Sequence, residues 1–275
     1  MDFTGKKILV TGSTMGIGRA AAEMFLQAGA TVAINGRKAS TVEQAIGELG
    51  SKRMVAAPGD VSTVAGCRSI VDAAVRGLGG LDVLVNNAGI CPLSYPLDVT
   101  EEHWDEVIAV NLRAPMFCTK FALRALRQTK GNVVMVASAG GLSAGPTDSF
   151  VYAISKGALI HMTRTLALEF VADGIRINAV CPGYIDTPMV QAENDATGGQ
   201  IYDFIKRSVP MGRIGTLREC VSGIVYLASD DAGYVTGSVF VNDGGCTANA
   251  SWGGANLGPP ASGPATQFTP NSVTR

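Results

Sequence analysis

Residues 6–25 read K-K-I-L-V-T-G-S-T-M-G-I-G-R-A-A-A-E-M-F, an apolar strand that passes through a glycine-rich turn into a helix. Lys6 to Val10 is the strand, and Gly12, Gly16 and Gly18 are the glycines. Ile17, Ala20, Ala21, Met24, Phe25 and Ala28 then recur at helical spacing. Glycine permits positive φ and lets backbone approach a phosphate closely. The helix N-terminus adds free N–H groups and partial positive charge. With a strand before and a helix after, the segment reads as a dinucleotide-phosphate cradle, spaced G-x-x-x-G-x-G. Ser13, Met15 and Ile17 fill the cradle between the glycines.

The rest of the chain continues the alternation. Strand candidates are Lys6–Val10, Thr31–Asn35, Met54–Ala57, Val83–Asn86, Asn132–Ala137, Ile175–Val180 and Ser238–Asn242. Helical patterns fall near 16–28, 40–49, 62–78, 101–128, 150–171 and 216–229. Strands that are apolar at successive positions, such as I-L-V and V-V-M-V-A, suit a sheet covered on both faces. The alternation predicts an α/β fold, a doubly wound Rossmann-type parallel sheet of seven strands in one domain over residues 1–247. Ligands then bind at the carboxyl ends of the strands. Residues 184–212 break the rhythm with a polar E-N-D-A-T-G-G run and a short helical piece before Pro210, and read as a substrate loop. The Gly-, Pro- and Ala-rich tail, 248–275, is expected to dock on its own or a neighbouring subunit, with Trp252 and Leu257 as anchors.

A chain of 275 residues and 28.4 kDa buries a full core. Net charge of −1 argues against nucleic acid or an anionic membrane as an obligatory partner. No apolar run is long enough for a membrane span and the N-terminus does not resemble a signal peptide, so a soluble cytoplasmic protein is expected. Cys67, Cys91, Cys118, Cys181, Cys220 and Cys246 form no C-x-x-C pair and read as small buried hydrophobes. The two histidines, His103 and His161, are not paired, so a zinc site is poorly supplied and no metal is expected.

Tyr152 and Lys156 lie four residues apart in F-V-Y-A-I-S-K-G-A-L, on one face of a helix. A cation near a phenol favours phenolate, which makes the tyrosine an acid/base candidate near neutrality. The other reading is a surface tyrosine beside a solvated lysine.

The ordered set T-G-S-T-M-G-I-G at 11–18, Asp60-Val61, N-N-A-G at 86–89, Asn111, Ser138, Tyr152/Lys156 and P-G-Y-I-D-T at 182–187 resembles the short-chain dehydrogenase/reductase family over about residues 4–247. The resemblance implies a nicotinamide cofactor and hydride transfer between a ketone or other carbonyl and a secondary alcohol. By it, Tyr152 matches the acid/base, Lys156 the residue that lowers the tyrosine pKa and holds the nicotinamide ribose, and Ser138 the hydroxyl that orients the substrate oxygen. Asn111 matches the residue that holds a relay water. Ser138 precedes Tyr152 by one residue more than the family spacing, an insertion assigned to the loop after Pro146. Ser143 and Ser149 are weaker candidates for the hydroxyl. Asp60 and Val61, at the end of the third strand, are expected to bracket the adenine, Asn87, Ala88 and Gly89 to turn beside a ribose, and Pro182, Gly183, Ile185 and Thr187 to meet the nicotinamide.

The second strand ends V-A-I-N-G-R-K. Gly36 stands where an acid would accept the ribose hydroxyls of NAD, and Arg37 follows it with a fork suited to a 2′-phosphate. NADP(H) is therefore favoured over NAD(H), with NAD use through Asn35 as the alternative. The resemblance also implies that helices 101–128 and 150–171, with Val107, Phe117, Phe121, Leu159, Leu166 and Phe170, form one dimer interface. The last strand would build a second, giving a homotetramer, or a homodimer from one interface alone. Cys91, Leu93, Tyr95, Leu142, Pro146, Tyr184, Met189 and Tyr202 are the pocket candidates. With no obvious Arg/Lys pair among them, the set suits a neutral small-molecule ketone or alcohol. A 3-oxoacyl thioester reductase, a sugar or polyol dehydrogenase and a non-catalytic cofactor-sensing Rossmann protein are the alternatives.

Overall fold

The computed structural model describes residues 1–92, 95–143, 149–196 and 198–248. Seven strands form one parallel sheet in the order β3-β2-β1-β4-β5-β6-β7. They are β1 (Lys7–Val10), β2 (Thr31–Ile34), β3 (Met54–Ala56), β4 (Val83–Asn86), β5 (Asn132–Val136), β6 (Arg176–Pro182) and β7 (Val239–Asn242). The helices are α1 (Gly16–Gln27), α2 (Ala39–Leu49), α3 (Val64–Leu78), α4 (Glu101–Ile108), α5 (Ala114–Thr129), α6 (Phe150–Phe170), α7 (Pro188–Ala196), α8 (Gln200–Ser208) and α9 (Leu217–Ala228).

The continuous apolar runs have the consequence expected of a sheet covered twice. Successive side chains of a strand point to opposite faces. Ile8, Val10, Val32, Ile34, Val134 and Val136 pack with Ala21, Phe25, Val42, Val221 and Ile224 on the face covered by α1, α2 and α9. Leu9, Ala33, Leu84, Val133, Met135 and Ile177 pack with Ile70, Cys118, Leu126 and Leu159 on the face covered by α3, α5 and α6. Cys67, Cys118, Cys181, Cys220 and Cys246 are buried and unbridged, and Cys91 is half-buried.

Two expectations are corrected. The sequence suggests a single helix over 101–128, but the chain winds through a π-turn, Ala109–Arg113, between α4 and α5. Pro115 offers one reason. It has no N–H to give the carbonyl of Asn111, its α-helical partner four residues back, so the regular ladder cannot run through. The second concerns 184–212, which holds two helices rather than one short piece. α7 begins with Pro188, whose missing N–H costs nothing at a helix start, and takes in most of the polar run. The proposed tail anchors Trp252 and Leu257, the pocket residues Leu93 and Pro146 and the insertion after Pro146 lie outside the described residues, as does the side chain of Met189. Among the described residues no helix is long and apolar enough to cross a membrane.

Candidate active site

β1 and β4 are neighbours, and the loops leaving their carboxyl ends lean on each other. Gly12 takes φ +63°, and a Cβ there would come within 2.9 Å of the Ala88 backbone. The Thr11 hydroxyl oxygen accepts the N–H groups of Asn87 (3.0 Å) and Ala88 (3.1 Å), and Asn87 Nδ2 donates to the carbonyls of Thr11 (2.9 Å) and Gly12 (3.1 Å). Gly18, in the first turn of α1, is buried under this lattice. A Cβ built on it would run into Asn87 Nδ2 and the Gly12 carbonyl oxygen. Met15 is 64% exposed and caps α1 with no side-chain hydrogen bond. The first-turn N–H groups are therefore not spent on a cap, which suits an anionic diphosphate. Ile17 packs partly into the core beneath.

Ser13 faces inward instead. Its hydroxyl donates to the Val10 carbonyl (2.8 Å) and accepts the Asn35 N–H (2.9 Å), so only its backbone borders the turn. Asn35 is committed too, accepting from Gly12 N–H (3.0 Å) and donating to the Ala57 carbonyl (2.9 Å). Its side chain is not available to a ribose. A Cβ on Gly36 would meet the Thr14 methyl at 2.7 Å, so this position has no ready space for a carboxylate. Arg37 is exposed beside it.

Asp60 and Val61 lie beyond β3 rather than at its end. Asp60 Oδ1 accepts the Ser62 N–H (2.9 Å), its residue is exposed, and Val61 packs into the core. Gly183 donates its N–H to the Asn242 carbonyl (2.9 Å) just past Pro182, the last residue of β6. Ile185 is buried and forms a parallel bridge with Gly215. Thr187 Oγ1 accepts the Val190 N–H (3.3 Å) at the start of α7.

Four chemical groups meet where β4, β5, α6 and the π-turn come together. Ser138, extended at the tip of β5, accepts the Gly140 N–H at 3.1 Å and lies close enough to the Tyr152 phenol to favour its ionised form. Lys156, 3% exposed, donates from Nζ to the Val136 carbonyl at 2.8 Å and stands 5.6 Å from the Tyr152 ring centroid. A methyl built on Gly89 would lie 3.4 Å from Lys156 Nζ and 3.5 Å from Asn111 Oδ1, so these groups share one small space. Asn111 is 0% exposed. Its Oδ1 accepts the Ile90 N–H (2.9 Å), and its Nδ2 donates to the Ile90 carbonyl (2.9 Å) and Ser155 Oγ (3.1 Å). A solvent-facing asparagine is excluded. With the side chain spent on that clasp, it is not available to a relay water.

Electrostatics here differ from the expectation that Lys156 simply lowers the phenol. Burial pushes the Tyr152 phenol up to about 12, against a smaller downward pull from the Ser138 hydrogen bond. Burial also brings the Lys156 ammonium down to about 8. Desolvation of the charged form is the largest cause of both shifts, and the ammonium is turned to the Val136 carbonyl. Thr11 and Ser155 are structural partners of the site that the sequence reading did not single out, and Asn35, read as an alternative NAD contact, is a structural partner too. Ser155, beside Lys156 in Y-A-I-S-K, also donates to the Tyr152 carbonyl at 2.6 Å.

Residues 12–247 match the family model described as enoyl-(acyl carrier protein) reductase. The chain belongs to the short-chain dehydrogenase/reductase family. It is an oxidoreductase of that family, whose members use NAD(P). An uncharacterized oxidoreductase of Thermotoga maritima is 38% identical over 254 residues, covering 90% of this chain and 100% of its own. The meso-2,3-butanediol dehydrogenase of Serratia marcescens is 34% identical over 249 residues, covering 90% and 97%. A solved chain from Sinorhizobium meliloti, described as a candidate short-chain alcohol dehydrogenase, superposes with a TM-score of 0.83. Its identity is 36%, covering 90% of this chain and 98% of that one.

Proposed function

We propose that this short-chain dehydrogenase/reductase interconverts a neutral ketone and a secondary alcohol with NADP(H), with Tyr152 as acid/base. The observation that carries the reading is the convergence of Tyr152, Lys156 and Asn111 on one small space, with Ser138 beside the phenol. The residues fit a nicotinamide cofactor. The uncapped N-terminus of α1 and the close-packed Gly12–Gly18 turn suit a diphosphate, and the Asn87–Gly89 turn lies beside Lys156. Bound there, the cofactor would supply the hydride. As negative charge grows on the substrate oxygen, Ser138 and Tyr152 offer it two donors fixed in advance, which is the largest contribution such a site makes. Tyr152 then gives up its proton. Lys156, as an ammonium, stabilises the phenolate left behind, and the Asn111 turn lies beside it.

Preference for NADP(H) rests on Arg37 beside Gly36, where any side chain would press on the Thr14 methyl. Turnover with NADPH and NADH is expected to favour NADPH across a ketone panel. Arg37→Ala is expected to reduce that preference about 10–100-fold, the worth of one or two charge-assisted hydrogen bonds. Unchanged discrimination in the variant would refute the assignment. The panel includes a 3-oxoacyl thioester, because the matching family model carries an acyl-carrier name.

Assembly into a homotetramer is part of the same reading. Val107, Leu159 and Leu166 are buried within the subunit and are not free to form an interface. Trp104, Met116, Phe150, Ile154 and Leu168 (78% exposed) present apolar surface on α4, α5 and α6 instead, and Phe240 and Val241 do so on β7. Single exposed apolar residues are ordinary, but this many on neighbouring elements suit burial against another copy. A stable monomer in light scattering would contradict the assembly.

A further inference from the structure

Just past β6 the chain is fastened to the body of the molecule. Gly215 donates its N–H to the Tyr184 carbonyl (2.9 Å), and Asp186 donates its own to the Gly215 carbonyl (2.8 Å). Asp186 therefore has a fixed backbone. Its Oδ1 accepts two side-chain donors from the helices that follow, the Tyr202 phenol of α8 at 2.8 Å and Gln191 Nε2 of α7 at 3.0 Å. The two helices are also tied to each other, since Asn194 Oδ1 accepts the Tyr202 N–H at 3.0 Å.

The other end of α8 is held differently. Ile205 and Val209 are buried against Cys246, with Tyr184 and Phe204 packed alongside, their rings edge-to-face at 6.2 Å. Pro210 rests on Gly245, and Met211 donates its N–H to the Gly244 carbonyl at 3.1 Å. Val190, Ile201 and Tyr202 pack in the same cluster, so this dry, non-directional contact runs along both helices. The Asp186 contacts add a half-exposed polar clasp whose geometry is lost when one donor swings away. Such a pairing suits a cover that shifts on a dry seat and is held in register by one polar clasp.

We propose that Asp186 is a positioning residue that latches the α7–α8 cover through Tyr202 and Gln191, holding Thr187 and the mouth of the substrate cleft in their closed arrangement. The inference rests on the proposed ketone–alcohol chemistry for its kinetic consequence, and on geometry alone for the latch itself. Tyr202, a pocket candidate on sequence grounds, turns its hydroxyl to the latch instead. Asp186 touches no reacting atom in this scheme. It acts through Thr187, its neighbour in sequence.

The test uses full-length Tyr202→Phe and Asp186→Asn, the first of which keeps the ring and removes only the hydroxyl. With NADPH and 2,3-butanedione as the probe ketone, Tyr202→Phe is expected to raise KM for the ketone five- to tenfold. KM for NADPH should stay within twofold and kcat should be equal or higher, because opening is easier. Hydrogen exchange, read without turnover, should quicken in 188–204 and stay unchanged in α1 and β1. The double variant should show no more than the larger single effect, as expected when both changes break one contact. Unchanged exchange in 188–204 with unchanged ketone KM would overturn the latch, and so would additive effects in the double variant. If 2,3-butanedione is not reduced by any form, exchange still decides the latch, while the failure falls on the proposed reaction.

Discussion

Tyr152→Phe is expected to lower kcat for ketone reduction by at least about 10³-fold, or roughly 4 kcal/mol at 1.36 kcal/mol per decade. Two losses coincide in the one oxygen. General acid catalysis by a placed side chain contributes about 10²–10⁴-fold, and a fixed donor to a developing oxyanion contributes on a similar scale. The ring stays, so affinity for NADPH, followed by fluorescence, should change less than about twofold by the same argument that uniform binding is untouched. Turnover within tenfold of the parent would sink Tyr152 as the acid.

The pH profile of the parent adds a second reading of the same site. Lys156, brought down to about 8 by burial, is cationic below that value and neutral above it. The parent rate of reduction should hold below pH 8 and decline above it, as the phenolate left on Tyr152 loses its nearby cation. Unfolding would not explain this decline through Lys156. Between pH 8 and its ordinary 10.5 the unfolded lysine keeps a proton that the folded one has lost, so Lys156's own contribution to stability rises with pH across that window. Its penalty is full below 8 and relieved above. Lys156→Arg, a cation at every accessible pH, should move the falling limb upward even if the maximum rate drops.

Gly18→Ala should produce the other large effect from the smallest possible change. The added carbon would have to displace Asn87 Nδ2 and the Gly12 carbonyl oxygen, which hydrogen-bond to each other. Overpacking of this kind costs about 1–3 kcal/mol, or roughly 2–10 °C of Tm in a chain this size. The displaced atoms form the proposed cofactor turn, so on that reading NADPH affinity should fall at least about tenfold, the equivalent of 1.4 kcal/mol. Gly47→Ala is the control. It lies inside α2 with nothing within 4 Å of the new carbon, where alanine is the better helix former and Tm should rise slightly. Equal behaviour of the two variants would show that close packing at Gly18 is not what the turn needs.

The fold was legible because strand and helix periods are written in local apolar spacing. Val83–Asn86 is found with the bounds read from sequence, and the other strands differ by one residue or two at their ends. The site was legible as residue types along the chain. Where each side chain would spend its hydrogen bonds was not. Ser13 and Asn35 sit in the cofactor segment yet bond to each other's backbone and to strand ends, because buried polar groups must find partners first. The helical break at Asn111 had a visible signal in Pro115, four residues on, but its form depended on Ile90 and Ser155, distant in sequence. The same is true of Tyr202, whose partner Asp186 lies across a turn between two helices that a polar run conceals.

The neighbourhood of β1 and β4 has a consequence for how the protein comes into being. Thr11 leans on Asn87 and Ala88, more than seventy positions later, and Lys7 N–H on Asp82. At the ribosome, β1 and its glycine turn can meet β2 and Asn35 early, but their β4 side stays open until residue 88 has been made. At about 5–20 residues per second, that is a wait of several seconds. Over that interval the proposed nucleotide cradle lacks its Asn87–Ala88 wall, so cofactor is expected to be acquired only once the first third of the chain is in place.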